Sequence, residues 1–450
     1  MRSDRRYLRI PTLILTLTAM LTVGGCSSPT SPVGRSKFAD SLRSAKPAAA
    51  VKAENTNNAD NGNSQTLSAG LSAKGKLPAD VEGSVSSDSI TDGDSKGTHL
   101  ELWTYKAEHV DCYRKLLKQW NDEDPDYTLE ITFSTMPYEE LHDKLMASIQ
   151  KGEDGPDICD IDAFSFGEVS EGLDSSLYPL DVAMAPYVAE LHPARVGVYK
   201  GSDNKCYGAP FRMGAAVEYW NMEALEQAGI TQKEVDAVTT WDDYIAIGEK
   251  FIKSSEAGGR SFTAIDQDEA LWSMLAVAEF SEETENTSNA ASEMAALRQR
   301  MFDTQIAKSS DNITDDIISG DIVSFTESLA FTDTFISDIH DQYGKWYITK
   351  CPVFKEGQPC SVCLDDSVSI VMASGKAAPL AADFLCYAKL YEDNVRSVIR
   401  NDLSYDVCNR ILWEDQEFAH DVTIESNTFF RSYPLDVLKE IDERIATVKP

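Results

Sequence analysis

Between residues 100 and 164 the chain passes through strand and helix patterns in alternation, and that alternation limits the folds open to it. LELWTY reads as a strand, and VDCYRKLLKQWNDEDPD places Tyr113, Leu116, Leu117 and Trp120 on one helical face. YTLEITF alternates as a second strand, MPYEELHDKLMASIQKGE carries Pro137 in the first turn of a second helix, and PDICDIDAF is a third strand. A βαβαβ opening implies an α/β fold whose sheet is mostly parallel and flanked by helices on both faces. Further on, TTWDDYIAIGEKFIK starts at Thr240 as N-cap with Asp243 three residues later, close to a capping box. Helices follow at DEALWSMLAVAEF and ASEMAALRQRMF, strands at DIVSF, KWYIT and VSIVM, and a helix at LAADFLCYAKLYED. The packed region from about His99 is long for a single core, so two lobes are expected.

The N-terminus has a different character. Arg2, Arg5, Arg6 and Arg9 precede an apolar run from Leu13 to Val23 that is too short, and wrongly flanked, to span a membrane. Residues 1–25 are therefore expected to be a secretory signal. Cys26 directly after Val23, Gly24 and Gly25 resembles the lipobox of bacterial lipoproteins, which implies a lipidated Cys26 as the mature N-terminus. Residues 26–97 are rich in Ser, Ala, Asn, Gly and Asp, with Phe38 as their one aromatic, and cannot bury enough apolar surface to offset the entropy of ordering. They are expected to form a disordered surface tether with a reach of about 45 Å.

The chain has 74 acidic against 41 basic residues, a formal charge of -33, which argues against nucleic acid and anionic membrane as partners. Besides Cys26 there are eight cysteines, whose even number leaves both disulfides and free thiols open. Cys360 and Cys363 have C-x-x-C spacing, but no second such pair accompanies them and no histidine has ligand spacing to another. Neither a metal nor a cofactor is expected.

The ordered series LELWTY, WNDEDPDYTLEI, YEELHDKLMASIQKGEDGPDICDID, CYGAPFRMGAAVEYWNMEALEQAGI and TTWDDYIAIGEKF resembles the extracellular solute-binding proteins of sugar ABC importers, in their maltodextrin- and oligosaccharide-binding branch. In that family a Tyr-Gly-x-Pro turn leads through an extended run to Tyr-Asn and a helix ending in Ala-Gly-Ile, and Tyr207 to Ile230 follow this order closely. ISGDIVSFTESLAF and SVSIVMASGKAAPLAADFLCYAKL match its later strand and strand-helix segments, so the resemblance covers about residues 98–400. It implies a two-lobed periplasmic-binding-protein-like fold of type II with a hinge. Residues 98–206 with 362–408 would form one lobe, and 207–361 with 409–450 the other. It also implies a monomer on the outer face of the membrane of a Gram-positive bacterium, held there only by its lipid. There it would capture a carbohydrate ligand between the lobes and deliver it to a permease and its ATPase.

Sugar recognition needs aromatic faces and polar groups in a concave site. Trp103 at the end of the first strand, with Asp162 and Phe164 leaving the third, sits where open α/β sheets bind ligands. Asp157 and Asp160 are read as turn or solvent-facing residues. By the resemblance Arg212 lies beside the cleft, either pairing with hydroxyls of the ligand or bracing the hinge against an acid. Trp272, which also fits a core position, and Glu327 are further ligand candidates, as are Asp365 and Asp366, which stand where relatives often carry Gly-Gly. Phe331 lies near, but out of register with, an expected aromatic, and Tyr219 and Trp220 read as packing residues. Two other classes remain open. One is an enzyme on the same scaffold, as in a thiamine-degrading family, with Cys159 or Cys206 as nucleophile; the other is a surface sensor or adhesion module.

Overall fold

The computed structural model describes residues 87–151, 155–170, 176–266, 270–280, 287–364, 367–375, 377–401 and 406–448. The signal sequence, Cys26 and most of the expected tether lie outside these residues, as do Asp365 and Asp366.

The described chain opens with strand β1 (Asp88–Gly93), which corrects the expectation of a tether running to residue 97. β1 pairs antiparallel with a later strand through its whole length, from Asp88 opposite Thr135 to Gly93 opposite Glu130. Composition concealed it because its side chains are mostly polar and exposed: beside the backbone ladder, Ser89 meets Ser134 and Thr91 meets Thr132, each at 2.9 Å. Then come β2 (Thr98–Thr104), α1 (Ala107–Glu123), β3 (Leu129–Thr135), α2 (Tyr138–Lys151), β4 (Ile158–Ile161) and β5 (Gly208–Ala209). α1 buries Tyr113, Leu116, Leu117 and Trp120, the stripe picked out by spacing.

A second group consists of β6 (Ala216–Asn221), α3 (Trp241–Ile252), β7 (Thr263–Asp266), α4 (Ala270–Phe280), α5 (Thr287–Asp303), β8 (Ala307–Ser310), β9 (Ser324–Ser328), α6 (Thr332–Asp338) and β10 (Trp346–Lys350). The capping box on α3 is formed, with Thr240 and Asp243 bonding each other's backbone. β11 (Ser361–Val362), β12 (Val368–Val371), α7 (Ala378–Leu390), α8 (Pro434–Ile441) and β13 (Ile445–Ala446) complete the elements used below.

The strands form one sheet in the order β1-β3-β2-β4-β12-β5 and another in the order β10-β6-β9-β7-β8, with β11 and β13 paired apart. The βαβαβ opening gives the parallel ladders β2-β3 and β2-β4, and β7 is parallel to both β8 and β9. Elsewhere the expectation of mostly parallel sheets is corrected. β12 runs antiparallel to β4 and β5, and β6 antiparallel to β9 and β10; β6 follows β5 and β12 follows β11 with no described helix between them, so neither belongs to a strand-helix-strand crossover. Tyr219 and Trp220 are fully buried, and their alternation sends one ring to each face of β6. Tyr219 stacks on Phe325 at 4.8 Å, while the Trp220 ring lies 5.4 Å from Tyr244.

Candidate functional site

Residues 210–215 carry the chain from β5 in the first sheet to β6 in the second, and β12 is the next strand after β11, with Cys363 and Leu364 just past the end of β11. A third pass, at 406–408, lies against the first. The amide of Met213 donates to the Asp406 carbonyl at 2.9 Å, Cys408 N–H to Phe211 O at 3.1 Å, and Leu364 N–H to Gly214 O at 2.5 Å. Asp406, fully buried, also accepts the Gly214 amide on Oδ2 at 2.6 Å. Gly214 has φ of 60°, a left-handed conformation that side-chain-bearing residues rarely adopt. Gly208 is needed for a different reason. A Cβ there would stand 2.5 Å from Val368 Cγ2 and 2.8 Å from Tyr199 Cγ.

Strand register shows what these passes face. Ile161 at the end of β4 lies opposite Val368 at the start of β12, and Ala209 lies opposite Ser369. In the second sheet Ser328, the last residue of β9, lies opposite Ala216. The carboxyl ends of β4, β5 and β9 therefore all meet the crossings, and the region beyond them is where open α/β sheets hold ligands.

On the first-sheet side, the amide of Met136 donates to Thr104 O at 3.1 Å, drawing the ends of β2 and β3 together. Tyr138 then reaches the loop after β4, its hydroxyl donating to Ser165 Oγ at 2.5 Å, and its ring meets Tyr105 edge-on at 5.0 Å. Burial pushes the Tyr138 phenol well up, so it stays neutral and remains a donor. Asp162, 7% exposed, accepts the amides of Phe164 at 2.9 Å and Ser165 at 3.1 Å, so its carboxylate shapes the loop that presents Phe164. Phe164 is 40% exposed, a large apolar face left open at the carboxyl end of the sheet. Trp103, in the last turn of pleat on β2, is half-buried against the core. Spacing along the strands indicated Trp103, Asp162 and Phe164 but missed Tyr105 and Tyr138, whose only signal was their place just after two strands.

At the crossing, Arg212 is 8% exposed and its Nη2 lies 2.9 Å from Asp333 Oδ2 on α6. Its carbonyl accepts from Nε of the buried Arg195 at 3.0 Å. Of the two roles open to Arg212 in sequence, the bracing one has a named partner. Glu327 is half-buried on β9 and bonds the amide of Ser328 at 2.6 Å. Phe331 packs on Tyr219 and Phe325 at 6.2 and 5.4 Å. Trp272 is not brought to this region: it is 6% exposed on α4, with its ring 5.4 Å from Trp241 in the second core.

Asp160 overturns its sequence reading. It is fully buried on β4, with His109 Nδ1 at 3.0 Å, the Tyr113 hydroxyl at 3.1 Å, Lys389 Nζ at 3.6 Å and a short hydrogen bond from Ser369. Burial alone would push this carboxyl up, but the Lys389 ammonium and the His109 hydrogen bond outweigh it and hold the group far below the usual carboxylate range. Asp157 at the other end of β4 is tied to the Glu101 amide at 2.9 Å.

These features coincide with a family. The profile of the bacterial extracellular solute-binding protein family matches residues 106–389, and the chain belongs to that family. Among curated relatives it is similar to the arabinooligosaccharide-binding protein of Halalkalibacterium halodurans, with 25% identity over 376 residues that cover 80% of this chain and 82% of the relative. Among solved structures, the cyclic alpha-maltosyl-1,6-maltose binding protein from Arthrobacter globiformis aligns with TM-score 0.60 at 15% identity, over 78% of this chain and 88% of that one. The ABC transporter associated binding protein from B. animalis subsp. lactis, solved with beta-1,6-galactobiose, aligns with TM-score 0.56 at 15% identity, over 79% and 88%. These two structures share the two-lobed fold.

Proposed function

We propose that this chain is the capture component of an ABC importer of oligosaccharides, holding its ligand between the two sheets and handing it to a permease and its ATPase. The observation that carries this reading is the meeting of the carboxyl ends of β4, β5 and β9 at one bundle of crossings, with Phe164, Tyr138 and Trp103 beside it. A hinge of this kind lets two walls close on a ligand. The curated relative named for arabino-oligosaccharides makes that class the first to try. Phe164 and Trp103 supply stacking faces, Asp162 and Arg212 polar contacts, and Glu327 a further acceptor; Asp365 and Asp366, outside the described residues, are kept as acceptors from the sequence alone. The two expected lobes pivot within residues 210–215, 363–364 and 406–408.

A binding role without catalysis fits the thiols. Burial pushes Cys159 well above its ordinary value and Cys206 up to about 12, and their sulfurs lie 3.6 Å from Asp160 O and 3.3 Å from Gly208 O. Neither has the lowered pKa of a nucleophile. A thermal-shift screen against arabino-oligosaccharides, other oligosaccharides and monosaccharides tests the reading, since a ligand bound only by the native state raises the melting temperature. A rise with oligosaccharides supports it; no rise with any saccharide counts against it.

The same reading places the protein as a monomer on the outer surface of a Gram-positive cell, anchored through lipid on Cys26 and held off the membrane by the segment before β1. No helix among the described residues is long and apolar enough to cross a membrane. Cys26→Ser is expected to shift the protein from the membrane fraction to the medium, or to leave an uncleaved precursor. Cell fractionation and intact mass measure this, and unchanged membrane association would sink the lipid anchor.

A further inference from the structure

β6 and β9 form the antiparallel pair that ends at the crossing, with the Ser328–Asp333 turn beyond it. Inside this pair stands Glu218, fully buried. It accepts from Ser324 Oγ at 2.5 Å and Thr326 Oγ1 at 2.6 Å, both on β9, and Tyr244 of α3 donates to Ser324 Oγ at 3.2 Å. Ser324 has an alternative acceptor in Tyr219 O at 3.0 Å. Among the described residues, the titratable groups that face Glu218 are Tyr244 from α3 and Cys351 just past β10, and neither is a cation. β10 places Thr349 opposite it, and β7 reaches it through Thr263, which bonds Tyr244.

The two protonation states of this carboxyl therefore fit their surroundings differently. As a carboxylate it is a buried negative charge with hydroxyl donors around it and no cation among the groups that face it. As an acid it donates to Ser324 Oγ, the serine hydroxyl turns to Tyr219 O, and Thr326 still donates to the other oxygen. That chain joins β6 to β9 with no buried charge. Burial raises the Glu218 carboxyl to about 7, against the opposing pull of Ser324, Thr326 and Tyr244.

We propose that Glu218 is a proton-operated positioning residue: its acid form clamps β6 to β9 and holds the Ser328–Asp333 turn against the crossing, and loss of the proton slackens that wall and weakens ligand capture. The proposal rests on the interlobe binding reading above. Its sign follows from linkage. The native carboxyl keeps its proton to higher pH than the unfolded chain, so the added stability is complete below the ordinary value of 4.5 and is lost as pH rises through about 7.

Glu279 gives an internal comparison, because it titrates in the same window from a different place. It lies on α4, accepts the Phe354 amide at 2.6 Å and is likewise raised by burial to about 7. Wild type, Glu218→Gln and Glu279→Gln would be followed by thermal unfolding and by calorimetry with an arabino-oligosaccharide from about pH 5.5 to 8.5. For wild type, the melting temperature is expected to fall by roughly 3–6 °C across this range, and the Kd to rise about fivefold. Glu218→Gln should flatten part of the melting slope and all of the Kd slope, whereas Glu279→Gln should flatten the other part of the melting slope and leave the Kd slope intact. Thr326→Val, which removes a donor that favours the carboxylate, should move the melting transition to higher pH and serves if Glu218→Gln does not fold. Wild-type slopes retained in Glu218→Gln, or a Kd slope lost in Glu279→Gln instead, would overturn the proposal. If no saccharide binds at any pH, the binding reading fails by itself; a saccharide that binds wild type with the same Kd across the range overturns the clamp and leaves the binding reading standing.

Discussion

Lys389→Met is expected to lower the unfolding free energy by about 3–5 kcal/mol, because it leaves the buried carboxylate of Asp160 without its cation. Lys389 is 7% exposed on α7, and its ammonium bonds Ser369 Oγ and lies 3.6 Å from Asp160 Oδ1. Methionine fills nearly the same space, so the loss reports on charge rather than on a cavity. Asp160→Asn in the same chain should recover much of the loss, since the charge that lacked a partner is then gone. The pH response has a definite direction. Asp160 is held well below its ordinary value of 3.8, so its contribution is present above that pH and is lost as the pH falls below it. Removing Lys389 should therefore shift acid unfolding to higher pH. Urea unfolding at neutral pH, followed by acid titration, checks both parts, and a loss under 1 kcal/mol would contradict the charge-pair account.

Trp103→Ala carries the second large effect, and it divides into two parts. Its ring is half-buried against the first core, so truncation should cost about 2–4 kcal/mol of stability. If the ring also offers a face to the ligand, saccharide affinity should fall by about 1–3 kcal/mol. Phe164→Ala separates the two parts. Its side chain is 40% exposed, so stability should change little while the Kd rises about tenfold. Urea unfolding and calorimetry on the same samples measure each part. Equal affinity in wild type and both variants would remove these residues from the site.

Much of the architecture was legible because strand and helix periods differ and because turn chemistry is local. The stripe Tyr113, Leu116, Leu117 and Trp120 located α1, and Thr240 with Asp243 located the start of α3. Gly208 was legible only as part of the Tyr-Gly-x-Pro turn, and Gly214 not at all, since it fell in the run read as extended. The close approach of Val368 and the left-handed backbone that require them arise from residues far along the chain. β1 was not legible, since its side chains are mostly polar and its faces almost wholly exposed, so no apolar alternation marks it. Asp160 was misread for a related reason: its partners come from α1, β12 and α7, and no local pattern shows that a carboxylate in an apolar strand will meet a lysine on a helix more than two hundred residues later. The aromatic set at the carboxyl ends was half legible. Trp103 and Phe164 could be found from strand ends, whereas the partnership of Tyr138 with Ser165 depends on the start of α2 meeting the loop after β4.

Isothermal titration calorimetry of the wild-type protein with a short arabino-oligosaccharide, beside Phe164→Ala and Tyr138→Ala, tests the central claim most directly. The account predicts one site per chain with a Kd of about 1 μM or tighter, weakened by both substitutions while the fold is retained. Folded wild-type protein that gives no binding heat with any oligosaccharide, or binding that both substitutions leave unchanged, would contradict an oligosaccharide site between the lobes.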